Sequence, residues 1–375
     1  MSDFEQSEFE RRTERAQAAM RARELDALLF CSEAEVRYFS GFRTQFWLSP
    51  TRPWFLLVPA AAEPIAVIPE IGAELMAKTW IKDIRAWPAP RPSDDGVGLL
   101  TQALRGYSRV GLPMSEETSL RMPLLTFEEV RRGSGVDFVD CSDLIKALRM
   151  LKSAAEIALL ESICAIASAA FARAPRLFRQ GQQLKDVFRE FKIASLEEGA
   201  DDVPYLVGGA GQGGYGDVIS PPTAEPLREG DILMLDTGGA VGGYFCDFDR
   251  NFAIGRADEA AKSAYRQLWR ATEAGLESSR PGVAVSVLFR AMHEALGGGT
   301  TNVGRYGHGL GMHLTEWPSV AAHDQTILEP GMVISLEPSL SIAPGRMMVH
   351  EENILVTDGA PLLLTERAAP ELPIL

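Results

Sequence analysis

Between Phe9 and Arg149, short apolar runs alternate with stretches whose apolar residues recur at helical spacing. The runs 25–31 (LDALLFC), 53–58 (PWFLLV), 64–68 (PIAVI) and 136–139 (VDFV) predict strands, and 9–23, 73–80, 99–105 and 124–132 predict helices. Strands alternating with helices imply an α/β domain. The pattern then changes. Ser153 and Glu156 form an S-x-x-E capping signature ahead of the apolar-periodic stretch 157–178, so a new helix is expected there. A boundary near 145–152 divides the chain into expected domains 1–148 and 149–375. The second is richer in glycine, at 208–216, 238–243 and 297–299.

Two hairpins of similar form lie in the second domain. In the first, 230–236 (GDILMLD) is an apolar strand ending in Asp236, and 244–252 (YFCDFDRNF) carries Asp247 and Asp249, with a glycine-rich turn between them. A hairpin symmetric about Val241 and Gly242 places Asp236 opposite Asp247. Directly paired residues have Cβ atoms roughly 5 Å apart, and like charges at that spacing destabilise a sheet unless something positive lies between them. The alternative is a pair of solvated acids near a turn.

In the second hairpin, 332–337 (MVISLE) and 349–356 (VHEENILV) flank Ala343-Pro344-Gly345. Pairing about Pro344 puts Glu337 opposite Glu351, whereas a slip of the turn pairs it with Glu352. Alternation allows only one of the two to face Glu337, and the pattern leaves both open. His308 sits in Gly307-His308-Gly309-Leu310-Gly311, where glycines permit close backbone approach. A lone histidine is usually structural. One imidazole among four converging carboxylates is a different matter, because oxygen-rich ligation with a single histidine suits Mn, Co, Fe or Zn.

Charge and composition narrow the partners. The net charge is -14, which opposes binding to nucleic acid or an anionic membrane, since neither offers a cation to an acidic surface. Four scattered cysteines, Cys31, Cys141, Cys164 and Cys246, form no CxxC pair, which suits a reducing cytoplasm. The N-terminus is charged rather than apolar, and neither a signal peptide nor a membrane span is expected. Gly209 to Gly214 matches G-x-G-x-x-G, but that fingerprint must open a helix, and Pro221, Pro222 and Pro226 follow. A loop over a substrate pocket is the better expectation.

Taken together, these residues resemble the pita-bread metallohydrolases, which include methionine aminopeptidase, prolidase, aminopeptidase P and creatinase. The likeness rests on Leu235-Asp236-x-Gly238, Gly243-Tyr244-x-x-Asp247-x-x-Arg250-x-Phe252, Gly307-His308-Gly309-x-Gly311, Glu316-x-Pro318, Leu328-x-x-Gly331-Met332-Val333, Glu337-Pro338 and Glu351-x-x-Ile354-Leu355-Val356-Thr357. The N-terminal half resembles the smaller domain of prolidase and creatinase, through Tyr38-Phe39-Ser40-Gly41-Phe42 and Arg149-Met150-x-Lys152-Ser153-x-x-Glu156-Ile157. Methionine aminopeptidases generally lack that domain.

The resemblance implies an α/β N-terminal domain followed by an α+β pita-bread domain with antiparallel strands and pseudo-twofold halves. It implies two divalent ions, with Asp236 on one, His308 and Glu337 on the other, and Asp247 and Glu351 bridging them. Glu337 and His308 become the catalytic candidates. The family's bridging glutamate stands six residues before the final threonine, which selects Glu351 ahead of Thr357, so Glu352→Ala is expected to be mild. A homodimer is also implied, with a loop near 43–47 bordering the partner's pocket.

The chain departs from the family in two places. Seven residues after His308, family peptidases have histidine where this chain has Thr315. Eleven residues before Gly230 they commonly have histidine where it has Ile219. Those imidazoles position the scissile carbonyl and stabilise developing charge. His313 and His350 are the candidates to replace them, although His350, as a strand neighbour of Glu351, is expected to point away. Asp249 stands where prolidase-like sequences usually have threonine, either supporting a ligand or paired with Arg250. Glu316 is expected behind the ligands or facing substrate. The expected activity is hydrolysis of an amide C–N bond in a short Xaa-Pro peptide. The alternatives are a creatinase-like hydrolase of a small C–N substrate and a non-catalytic binding module.

Overall fold

The computed structural model describes residues 4–49, 52–298 and 303–375. The chain divides into two compact units, Met1–Arg149 and Met150–Leu375.

In the first unit, the strands are β1 (Ala27–Phe30), β2 (Phe55–Pro59), β3 (Ile65–Pro69), β4 (Asp83–Trp87), β5 (Arg109–Leu112) and β6 (Asp137–Asp140). They form one sheet in the order β4-β3-β2-β1-β5-β6, antiparallel along β1-β2-β3 and parallel at β3-β4, β1-β5 and β5-β6. The helices are α1 (Gln6–Ala22), α2 (Glu33–Ser40), α3 (Ala73–Met76), α4 (Val97–Ala103), α5 (Leu124–Ser134) and α6 (Ser142–Met150). The four expected strands are present as β1, β2, β3 and β6. β4 escapes sequence reasoning because it is an edge strand whose DIRAW run is mostly half-buried. The helix expected over 73–80 is a single turn, α3. Leu29, Phe55, Val67, Leu100, Leu104 and Val110 form the core between sheet and helices.

The second unit opens with α7 (Ala154–Ala172), α8 (Ala174–Leu177) and α9 (Leu184–Glu197). The capping box is in place: the Ser153 side chain accepts from Glu156 N, and Ser153 N donates to the Glu156 carboxylate at 2.9 Å. By length and composition α7 is apolar enough to cross a membrane, which corrects the expectation that no segment is. Its Leu160, Ile163, Cys164, Ala167 and Phe171 are buried, and it packs on α9 and on the strand that carries Asp236. Glu156 is buried as well and accepts from the Tyr244 hydroxyl at 2.8 Å.

The strands that follow are β7 (Asp202–Gln212), β8 (Asp231–Val241), β9 (Tyr244–Phe245) and β10 (Phe248–Ala253). They make an antiparallel sheet β10-β8-β7, with β9 pairing β8. Gly209 to Gln212 lie inside β7, so the G-x-G-x-x-G match opens no helix. After α10 (Glu259–Ser278) and α11 (Val285–Ala295) come β11 (Gly307–Gly309), β12 (Glu316–Ser319), β13 (Val333–Leu336), β14 (Ser339–Ala343), β15 (Arg346–Val349), β16 (Glu352–Leu355) and β17 (Leu362–Leu363). A second antiparallel sheet runs β12-β11-β13-β16-β17, and β14-β15 is a separate ribbon. Each half therefore pairs an antiparallel sheet with a helix pair, α7 and α9 in one, α10 and α11 in the other.

Candidate metal centre

The first hairpin turns at Gly242 and Gly243, whose φ values of +58° and +71° suit the two-residue turn that matches strand twist. Val241 therefore pairs with Tyr244, and Asp236 pairs with Asp249 rather than Asp247. The expected register was displaced because two consecutive glycines take the left-handed positions of the turn. Asp247 lies in the gap between β9 and β10, where the ladder is interrupted. There the Asn353 side-chain amide stands in for a neighbouring strand. Its Oδ1 accepts from Asp247 N at 2.9 Å, and its Nδ2 donates to Asp247 O.

The second hairpin keeps the register about Pro344, with Leu336 opposite Glu352 and Ser339 opposite Val349. The ladder breaks at Glu337-Pro338 and at His350-Glu351, and these breaks are where Glu337 and Glu351 leave the strands. Glu352 turns the other way. It is fully buried, pairs with Arg250 at 3.0 Å and Arg367 at 3.1 Å, and accepts from Ala368 N and the Thr365 hydroxyl. Burial alone would raise its carboxyl, but Arg250 and these donors hold it below the ordinary value.

As a result, the Asp236, Asp247 and Glu351 carboxylates have oxygens within 4.8 Å of one another. His308 joins them from β11, which is paired on both sides by β12 and β13. Gly307 makes this possible: its φ is +142°, and a Cβ there would lie 2.0 Å from Ser335 O. His308 Nδ1 donates to Gly309 O at 2.9 Å, because a carbonyl can only accept. Its Nε2 lone pair is thereby aimed at the cluster, 3.3 Å from Asp247 and 3.9 Å from Glu337.

Burial pushes the Asp236, Asp247 and Glu351 carboxyls well above their ordinary values, with mutual repulsion adding at Asp236 and Glu351. Burial likewise raises Glu337 to about 7. Asp236 Oδ1 is buried without a hydrogen-bond partner. Four such carboxylates and one oriented imidazole are a donor set for a hard or borderline divalent cation, whose charge offsets both the burial and the repulsion.

The remaining expected residues are distributed around this cluster. Asp249 is buried, and Asn251 Nδ2 donates to its Oδ2, while its Oδ1 has no partner. No ion pair between the Asp249 and Arg250 side chains is formed, since Arg250 reaches Glu352 and the carbonyls of Asp249 and Glu351. His350 is buried against Thr272, 3.0 Å from Nδ1, and edge-on to Tyr265, and burial lowers it to about 3. Glu316 is no surface acid: it is buried, lies 3.4 Å from Lys152 Nζ and accepts from His313 N at 3.0 Å. Thr315 and His313 are half-buried on that same loop. Ile219 is 73% exposed, in a turn closed by Asp217.

Sequence reasoning missed four residues here. Ser335 donates its hydroxyl to Glu351, and with Asn353, its partner across β13 and β16, it orients the acids. Ser335 is a polar interruption in an otherwise apolar strand, a signal that was available, whereas Asn353 sits beside the charged Glu352 and carries no such mark. Tyr205 on β7 donates to Asp236 Oδ2 at 3.4 Å, and Arg305 Nε lies 3.8 Å from Glu337 Oε1. No spacing pointed to either.

Residues 158–358 match metallopeptidase family M24, and residues 12–151 match the creatinase/prolidase N-terminal domain. The chain belongs to metallopeptidase family M24. Over 367 residues this M24 chain is 30% identical to the probable dipeptidase PepE of Mycobacterium tuberculosis, covering 95% of the chain and 94% of that protein. It is 26% identical to the Xaa-Pro dipeptidase of Pyrococcus horikoshii, over 91% of the chain and 93% of that protein. The crystal structure of dipeptidase PepE from Mycobacterium ulcerans superimposes with a TM-score of 0.86 at 28% identity, covering 99% of both chains. The M24 chain is thus a hydrolase with the pita-bread fold and a family chemistry that uses divalent metal ions.

Proposed function

We propose that the chain is a dinuclear-metal Xaa-Pro dipeptidase. The convergence of Asp236, Asp247 and Glu351 to within 4.8 Å, beside His308 Nε2 and Glu337, carries this reading. The peptide class is supported by relatives named as a probable dipeptidase and an Xaa-Pro dipeptidase, each matched over nine-tenths of its length. Asp247 and Glu351 would serve both ions, Asp236 would serve one, and His308 and Glu337 would serve the other. Ions of the Mn, Co, Fe or Zn type supply polarisation of the scissile carbonyl and acidification of the attacking water.

The chain's own groups do the rest. Hydrogen bonds from the Ser335 hydroxyl to Glu351 and from Asn353 Nδ2 to Asp247 O fix these acids before substrate arrives. Glu337, whose side chain is 25% exposed, is the most open of the acids that surround His308 and holds the proton that passes from water to the leaving nitrogen at its Oε1. Tyr205 keeps Asp236 oriented from the neighbouring strand.

The reading extends to a cytoplasmic homodimer. Four buried free thiols suit a reducing compartment, and the segment ending in Leu48, 83% exposed, offers an apolar tip to a partner. Sedimentation as a monomer would remove the dimer. The central test is elemental analysis after reconstitution with Mn, Co or Zn, followed by an assay on Xaa-Pro dipeptides. Two equivalents of metal and scission of the Xaa-Pro bond are expected. No bound transition metal overturns the proposal.

A further inference from the structure

We infer that Tyr205 is a catalytic residue whose hydroxyl donates a hydrogen bond to the scissile carbonyl oxygen as negative charge develops there, a step that rests on the metallopeptidase reading of the adjoining cluster. The sheet places it. Tyr205 on β7 pairs with Gly238 on β8, and Gly238 lies two residues beyond Asp236, so the three positions share one face of the sheet. A Cβ on Gly238 would meet Leu314 Cδ1 at 2.4 Å and Tyr205 Cβ at 3.0 Å. Glycine at 238 therefore leaves the room in which the tyrosine ring and Leu314 pack side by side, and Leu314 belongs to the loop that Glu316 braces through His313 N. The ring is fixed between β8 and that loop, and its hydroxyl end reaches the cluster.

The protein itself uses this hydroxyl poorly. Its one hydrogen bond among the described residues is to Asp236 Oδ2 at 3.4 Å, longer than the roughly 2.5–3.0 Å of an ordinary O–H···O bond. Tyr244 and Tyr215, both buried, are bound more closely, to Glu156 at 2.8 Å and to Asn251 at 3.1 Å. Charge at the site matters next. The carboxylates of Asp236, Asp247, Glu337 and Glu351 can only accept, and His308 turns its Nε2 lone pair toward them. Of the two hydroxyls that bond these carboxylates among the described residues, Ser335 is fully buried and committed to Glu351, whereas Tyr205 is half-buried. Asp236 serving as a metal ligand competes weakly for the phenol proton, and an oxygen gaining negative charge is the stronger acceptor. Rotation about the phenol C–O bond redirects the donor without moving the ring. The phenol keeps its proton throughout, since the proton released by water passes through Glu337 to the leaving nitrogen.

The test compares the manganese-loaded wild-type protein with Y205F, which deletes only the hydroxyl. Values of kcat and KM are measured on Ala-Pro. Titration calorimetry measures binding of proline and of the phosphinic analogue of Ala-Pro, whose tetrahedral centre carries its charge on oxygen. Y205F is expected to lose about 100-fold in kcat, the scale for one donor to a developing oxyanion, with KM and proline affinity unchanged. Affinity for the phosphinate should fall by a similar factor, because only the charged tetrahedral oxygen engages the phenol, and metal content should match the wild type. Loss of metal from Y205F would mean that Tyr205 acts only through Asp236, and it overturns the assignment. Unchanged kcat and phosphinate affinity at full metal occupancy overturn it as well. The binding arm needs no turnover. Phosphinate affinity that depends on Tyr205, in a protein that cleaves no Xaa-Pro peptide, would retain this inference and remove the Xaa-Pro reading, whereas Ala-Pro cleavage undiminished in Y205F would do the reverse.

Discussion

Asp236 and Asp249 face each other as a directly paired couple across β8 and β10, and each keeps one buried carboxylate oxygen without a hydrogen-bond partner. The other oxygen of Asp249 is held by Asn251, whose Oδ1 accepts from Tyr215 and whose Nδ2 reaches Val349 O. Asp249 is thus a fixed acid behind a metal-ligand candidate. Partners of this kind typically alter metal affinity 10- to 100-fold when removed. Asp249→Ala is expected to weaken the ion at Asp236 by roughly tenfold or more, and Asp249→Asn by less. Chelator competition followed by metal analysis reads this directly, and equal retention in Asp249→Ala would show that Asp249 has no bearing on the ion.

Removing metal should make stability depend on pH. Glu337 has its folded value raised from 4.5 to about 7, and Asp236, Asp247 and Glu351 are raised as well. An acid raised in the folded state binds more protons there than when unfolded, so stability falls as pH rises. For Glu337 the loss develops between about 4.5 and about 7 and is complete above that. Bound cations replace the protons and cancel the loss. Chelation should therefore lower the melting temperature more at pH 8 than at pH 5, measured by calorimetry. An equal drop at both pH values would mean that the acids are not proton-linked in the metal-free fold.

Glu351 and Glu352 should separate metal binding from folding. Glu351→Ala removes an acid of the central cluster and should release metal. Glu352→Ala was expected to be mild, but the structure gives it a different consequence. Its loss removes the buried carboxylate that Arg250 and Arg367 share, and breaking a buried pair from one side costs about 3–5 kcal/mol, offset here in part by the other acceptors both guanidinium groups keep. The variant should unfold at a much lower temperature while its folded fraction retains metal. Metal loss from folded Glu352→Ala, with retention in Glu351→Ala, would reverse the two roles.

The order of the ligand candidates was legible because their chemistry is rare: acids at the ends of apolar strands and one histidine among glycines. The second hairpin's own pattern left Glu351 and Glu352 open as partners of Glu337, the family resemblance selected Glu351, and the structure keeps the register about Pro344 that puts Glu351 there. The first hairpin's register was not readable, since four glycines around Ala240 and Val241 offer several turns, and only the left-handed pair at Gly242 and Gly243 selects one. Strand breaks at Asp247, Glu337 and Glu351 leave no trace in alternation, yet they create the cluster. Tyr205 and Arg305 reach it from segments whose approach is decided by tertiary packing alone.

The two departures from the family pattern are not equivalent in the structure. Ile219 is 73% exposed, so a histidine there stands in solvent unless the 217–220 turn moves. Thr315 belongs to the loop that the buried Glu316 braces through His313 N, and its neighbour Leu314 lies directly over Gly238, two residues from Asp236. A side chain at 315 is therefore carried by a braced loop that passes beside Gly238, close in the chain to Asp236. A donor that meets developing charge can supply about 10²–10³ in rate when well placed, and less when grafted. Thr315→His is expected to raise Xaa-Pro turnover by roughly tenfold, mainly in kcat, whereas Ile219→His should change it little. The measurement is kcat and KM on Ala-Pro with metal content matched across variants. Should Thr315→His leave kcat unchanged at full metal occupancy, position 315 does not face the reacting carbonyl.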